Sequence, residues 1–206
     1  MSEHRKIIWM SFAWMAPIVF GFYLLDKHTM EAGESANAPV VWPQGSALIR
    51  SNDQFNLVLL IHPECPCSLA TVNELEKLMS KSGDRLKSKV LVYRASNDLT
   101  GEGGSLLRSR LSGLLNVEIS TDVEGQEAKR FGSFTSGQAL LYNAEGVLVF
   151  SGGITGSRGH EGDNAGETAI IELINHRSRA LPSAPVYGCE LFQTTQTKGT
   201  VHEARS

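Results

Sequence analysis

Cysteine is scarce in this chain of 206 residues, which has only three. That excludes a small scaffold stapled by several disulfides. Positive charge is not in excess either: 19 Lys and Arg stand against 22 Asp and Glu, for a net charge of −3. A nucleic-acid binder needs a basic face, so no nucleic acid is expected as a partner. No Gly-x-x-x-x-Gly-Lys-Ser/Thr run occurs, so the glycines do not form a phosphate loop of that type. There is no internal repeat, which sets solenoids and propellers aside. Hydrophobic residues make up 41% and charged residues 20%, enough apolar content for most of the chain to fold around a core.

The organising stretch runs from Leu57 to Ser68. Leu57-Val58-Leu59-Leu60-Ile61 is a continuous apolar run and reads as a fully buried strand. His62-Pro63-Glu64-Cys65-Pro66-Cys67 is a turn carrying two of the three cysteines. Leu69, Val72, Leu75, Leu78 and Met79 then recur at helical spacing, predicting a helix over Ser68–Lys81. Two thiols therefore sit where a strand feeds a helix. Free N–H groups and the positive helix end stabilise a thiolate there, and the thiolate is the reactive form.

The spacing limits what the pair can do. Residues two apart reach disulfide distance only on a bend, so a Cys65–Cys67 bond requires Pro66 to hold one. Such a small ring is strained, and strain makes a disulfide more oxidising. Glu64 beside Cys65 raises the thiol pKa, opposing the helix end. His62, turned toward the pair, would accept a proton or act as a cation; turned away, it merely packs at the strand end. Cys189 lies in Pro185-Val186-Tyr187-Gly188-Cys189, whose apolar flanks predict docking on the domain. Three roles are open to it: resolving partner for Cys65 or Cys67, third metal ligand, or inert buried thiol.

At the N-terminus, Arg5 and Lys6 precede an uncharged run of 19 residues, Ile7–Leu25. This is close to the ~20 residues a helix needs to cross a bilayer. The positive end stays in the cytoplasm, which puts the rest of the chain outside. The rival reading is a cleaved signal peptide, with Ala36-Asn37-Ala38 as a small-x-small site well beyond the apolar run. The expected organisation is a cytoplasmic stub and transmembrane anchor over 1–27, a linker and lead-in over 28–50, a folded domain over 51–180 and a tail over 181–206.

Further elements follow in order: a strand at Val90–Arg94, a helix at Ser105–Leu115, a short strand at Val117–Ser120 and a short helix at Glu124–Phe131. Ala139–Tyr142 and Val147–Phe150 form a hairpin across Asn143-Ala144-Glu145-Gly146, and Asn164–Arg179 is the closing helix. This alternation predicts a mixed sheet covered on both faces.

The strand–Cys-Pro-Cys–helix, the late hairpin and the final helix together resemble the thioredoxin-like superfamily. Ser120-Thr121-Asp122, Ala128–Gly132 and Leu140–Gly146 are similar to its TlpA/AhpC-like branch. His62–Ser68 and the glycine-rich Ser151–His160 resemble RedB-type membrane-anchored proteins. The resemblance implies a three-layer α/β/α fold with a mixed central sheet, preceded here by one transmembrane helix. It implies a thiol-disulfide oxidoreductase in which Cys65 attacks and Cys67 resolves. Its partners would be protein thiols or disulfides, or a membrane-linked electron donor. It also implies a single-pass protein of the cell inner membrane whose domain faces the periplasm.

Two departures from the family pattern stand out. One residue, not two, separates the cysteines. The position where the family places a cis-proline facing the disulfide falls near Gly137, so the docking surface for extended substrates is altered. The loop after the last strand holds six glycines between Gly152 and Gly166. In this fold it borders the cysteines, which would put Arg158 and His160 over the pair; Asp163 or Asn164 would cap the last helix. No cofactor is required. Copper or zinc is the alternative, held by Cys65, Cys67 and His160 in a metal-handling protein of the same fold, since thiolate and imidazole suit soft ions. A non-catalytic partner-binding module is the third reading.

Overall fold

The computed structural model describes residues 3–96, 104–175 and 183–192. Its centre is β1 (Phe55–Ile61). β1 pairs in parallel with β2 (Leu86–Arg94) on one side and antiparallel with β4 (Gln138–Tyr142) on the other. Leu59, for example, faces Val90 and Ala139. β3 (Val117–Val123) adds in parallel to β2, and β5 (Leu148–Gly153) adds antiparallel to β4. The sheet order is β3-β2-β1-β4-β5.

Alternation along β1 explains its unbroken apolar run. Leu57, Leu59 and Ile61 enter one core with α2 (Ser68–Ser82), α3 (Ser105–Leu111) and α5 (Ala165–Ile174). Val58 and Leu60 enter a second core on the opposite face, with Leu48, Phe131, Tyr142 and Leu191. That face also carries α4 (Gln126–Arg130) through Ala128. A strand buried on both sides has no polar face to present, so no period-2 pattern is visible in it.

Several elements differ in extent from what periodicity suggests. β2 begins four residues earlier than Val90 and includes Lys89, whose side chain is buried while its Nζ lies 2.6 Å from Glu118 Oε2 on the neighbouring strand. The ion pair lets a lysine occupy a core strand and hides the strand from an apolar scan. α3 stops at Leu111 because Ser112 and Gly113 turn the chain toward Asn116, which has φ +61°. Leu107 and Leu111 are buried, whereas Leu106 and Leu115 are exposed. Leu69 keeps helical spacing but stays partly exposed beside the cysteine turn. α5 is capped by Asn164, whose Oδ1 accepts from Glu167 N at 2.8 Å; Asp163 is not the cap. The expected extension of α5 over 176–179 lies outside the described residues.

The segment before the domain is docked. Trp42 packs edge-on to Phe131 and Tyr142 at ring-centroid distances of 5.2 and 5.1 Å. Asn37 N donates to Gly132 O at 2.8 Å, and Gly33 N donates to Val186 O at 2.8 Å. Gly132, at φ +62°, has no room for a side chain: a Cβ there would fall 2.1 Å from Asn37 O. At the start of the chain, α1 (Glu3–Met30) is a helix of mean hydropathy 1.7 over its most apolar 18-residue window, and none of that window is buried. It is long and apolar enough to cross a membrane.

Candidate functional site

The site begins at the end of β1. Two successive turns reverse the chain: Cys65 N donates to His62 O at 3.1 Å, and Ser68 N donates to Cys65 O at 3.0 Å. These are the bends on which residues two apart can approach each other. Cys67 is the N-cap of α2, in helical backbone geometry and without a side-chain cap of its own. Ser68 and Ser136 clamp the strand end. Ser68 Oγ donates to His62 O at 2.7 Å, His62 N donates to Ser136 Oγ at 3.0 Å, and the two hydroxyls lie 3.3 Å apart.

Cys189 arrives from the far end of the chain. Its Sγ lies 2.9 Å from Cys65 Sγ, and all three cysteines are free thiols. Of the roles left open by the sequence, an inert thiol is the one this placement disfavours. Burial pushes the Cys65 thiol up, but hydrogen bonds from Cys189 and then Cys67 outweigh it, and Cys65 ends below its ordinary 9.0. Cys67 moves up, from burial first and then from the negative charge on Cys65, against a smaller pull down by Arg158 and the Gly159 N–H. Cys189 is pushed up to about 12 by burial and by its bond to Cys65. Cys65 is therefore the thiol of the three that ionises first, its pKa shifted down while those of its two neighbours are shifted up.

The remaining candidates divide between those that reach the sulfurs and those that do not. Arg158 acts on them through its charge, which favours thiolates at Cys67 and Cys189, and its Nη1 donates to Gly188 O at 2.7 Å. The glycine loop is held over α2 by Gly162 N donating to the buried Glu74 at 2.7 Å and by Asn73 Nδ2 donating to Glu161 at 2.6 Å. His160 is exposed, and its Nδ1 lies 2.9 Å from Arg158 O within its own turn. His62 stacks on Tyr93 at 5.1 Å, and its Nδ1 accepts from Glu64 N at 3.2 Å. Burial lowers the His62 pKa, with Glu64 pulling it back up. Its ring thus packs at the strand end. Glu64 is exposed, and the main push on Cys65 comes from burial rather than from this carboxylate. Gly137 precedes β4 at φ +88° with no cis peptide, its N donating to Leu60 O at 2.7 Å. Among the described residues, no group of three or more His, Cys, Asp or Glu is arranged to hold a metal ion.

Three parallel strands, then an antiparallel hairpin, with a cysteine pair in the turn between the central strand and its helix: that combination decides the architecture. The fold is thioredoxin-like. No protein-family model matches the chain, and no curated protein matches it. Among solved structures, a hypothetical protein of Sinorhizobium meliloti is similar at TM-score 0.58 and 19% identity, over 81% of this chain and 97% of that one. An uncharacterized conserved protein of Geobacillus kaustophilus gives TM-score 0.58 at 14% identity, over 81% of this chain and 94% of that one. At these identities the likeness shows a shared fold. A looser match, TM-score 0.42 at 16% identity over 61% of this chain and 86% of that one, is the exposed lipoprotein thioredoxin Etrx1 of Streptococcus pneumoniae.

Ser68, Ser136 and the Gly159 N–H are site groups that sequence reasoning passed over. The only signal for Ser136 was its place beside the position where this fold keeps its proline.

Proposed function

We propose that this chain is a membrane-anchored thiol-disulfide oxidoreductase whose attacking group is Cys65. The observation that carries the proposal is the approach of Cys189 Sγ to 2.9 Å from Cys65 Sγ, two residues before Cys67 at the N-cap of α2. A thiolate so supported attacks a partner disulfide. One partner sulfur bonds to Cys65, and the other leaves as a thiolate. A second thiol of the chain then loses its proton and attacks Cys65 Sγ, releasing the partner as a dithiol and leaving the chain oxidised. A membrane-linked electron donor or a partner dithiol resets it. A cleft of about 310 Å³, bordered by Pro63, Glu64, Pro66 and Leu69, gives partners a way to Cys65.

The anchor and orientation belong to the same proposal. α1 is long and apolar enough for the proposed span, and Arg5 and Lys6 before it favour a domain facing the periplasm from an inner membrane. The docking of Asn37 on Gly132 favours an uncleaved chain, because processing after Ala38 would remove that contact. The resemblance of His62–Ser68 and Ser151–His160 to RedB-type proteins points the same way.

The test uses the full chain in detergent micelles, equilibrated with graded mixtures of reduced and oxidised dithiothreitol, acid-trapped and weighed by mass spectrometry. A two-electron couple that vanishes in Cys65→Ser is expected. Absence of any such couple contradicts the proposal and leaves a partner-binding module.

A further inference from the structure

Resting on the oxidoreductase reading, we propose that Ser183–Phe192 is a built-in stand-in for a partner peptide. It is a strap that occupies the edge where an extended, cysteine-bearing chain docks, and it presents Cys189 to Cys65 in place of the partner's sulfur. The backbone pattern carries this. Ser136 N donates to Cys189 O at 2.8 Å, and Leu191 N donates to Phe134 O at 2.7 Å. Thr135 and Glu190 thereby form an antiparallel bridge. This is strand pairing on an edge, which reads any extended chain through its main-chain groups. The sulfur of the paired segment then lies 2.9 Å from Cys65 Sγ.

The seat is shaped for backbone. A Cβ on Gly188 would fall 1.8 Å from Ser136 O, one on Gly153 2.6 Å from Pro185 O, and one on Gly152 2.5 Å from Ala184 N. Glycine on either side of the contact is what permits this approach. Val186 and Leu191 anchor the strap as buried side chains, and Arg158 holds Gly188 O between them. If the strap lifts, Phe134 O and Ser136 N are left unpaired and Cys65 loses one of its donors. A partner chain restores all three contacts at once.

The exchange closes chemically. In a mixed disulfide between Cys65 and a partner cysteine, the returning Cys189 gives up its proton and attacks Cys65 Sγ. The Cys65–Cys189 bond forms, the Cys65–partner bond breaks, and the partner leaves as a thiolate that takes up the proton. The strap thus ejects the partner, and the oxidised chain is closed by a covalent strap until a dithiol reopens it.

The probe is a short synthetic peptide whose single cysteine carries a thionitrobenzoate, added to the reduced full chain. Thionitrobenzoate release reports attack by Cys65, and hydrogen exchange over 183–192 reports strap opening. Gly188→Val, which pushes on Ser136 O, is expected to react about tenfold faster or more, because a larger fraction of molecules is open. Leu191→Ala loosens the strap without crowding the edge and should fall between it and the wild type. Peptide mapping of the wild type should end at a Cys65–Cys189 cross-link, whereas Cys189→Ala should retain the Cys65–peptide adduct. A freely exchanging strap with an unchanged release rate overturns the proposal, as does a wild-type end product joined only through Cys65 and Cys67. An absence of release in every variant overturns the oxidoreductase reading itself and the strap with it.

Discussion

The site is made of two unlike halves. The thiol turn is local: β1, two tight turns and the start of α2 are contiguous in the chain, and Leu57–Ile61 of the strand are buried in the two cores. The strap is remote: Cys189 lies 124 residues from Cys65 and is brought to it by a few backbone hydrogen bonds and glycine seats. The turn cannot move without opening the core, whereas the strap is held by main-chain hydrogen bonds and by the buried side chains of Val186 and Leu191. The difference assigns roles. The attacking sulfur belongs on the rigid half, and the sulfur that comes and goes belongs on the detachable one.

Removing the sulfur of the rigid half has the largest expected effect. Cys65→Ser should abolish exchange with a partner disulfide, leaving no rate above background, as read by trapping of mixed disulfides. Weakening the platform comes next: Leu75, fully buried in α2, should cost about 2–5 kcal/mol of stability as Leu75→Ala, seen as a large fall in the denaturation midpoint. Breaking the link between the halves is smaller but more telling. Cys189→Ala removes the strongest hydrogen bond supporting the Cys65 thiolate. Bonds to a charged group contribute about 1.5–3 kcal/mol, so the thiolate fraction near neutral pH should fall about ten- to a hundredfold, measured by iodoacetamide rate at Cys65. The smallest effect is expected at His160. Its ring nitrogen bonds within its own turn, so His160→Gln should leave that rate within about twofold, as for an ordinary surface substitution.

The rigid half was legible in the sequence because its signals are local. An apolar run, a cysteine turn and a helical stripe adjoin one another, and they placed β1, α2 and the hairpin close to where they lie. The fold followed from the order of such elements. The strap was legible only in part. The apolar flanks of Cys189 implied docking, and it docks, but its pairing runs through main-chain groups of Phe134 and Ser136, which no side-chain pattern records. Lys89 concealed the start of β2 because its partner, Glu118, is on another strand. Arg158 was expected over the pair; its hydrogen bond goes to Gly188 O, one residue before Cys189. His160 was expected beside it, and its ring nitrogen bonds Arg158 O within its own turn.

The most direct measurement follows alkylation of each cysteine in the reduced full chain as a function of pH, resolved by peptide mass. A thiol reacts as its thiolate, so its rate falls about tenfold per pH unit below its pKa. Cys65 should stay reactive to the lowest pH of the three, Cys67 should lag behind it, and Cys189 should respond only as the pH climbs toward about 12. If Cys67 or Cys189 reacts at lower pH than Cys65, the assignment of the attacking sulfur is wrong.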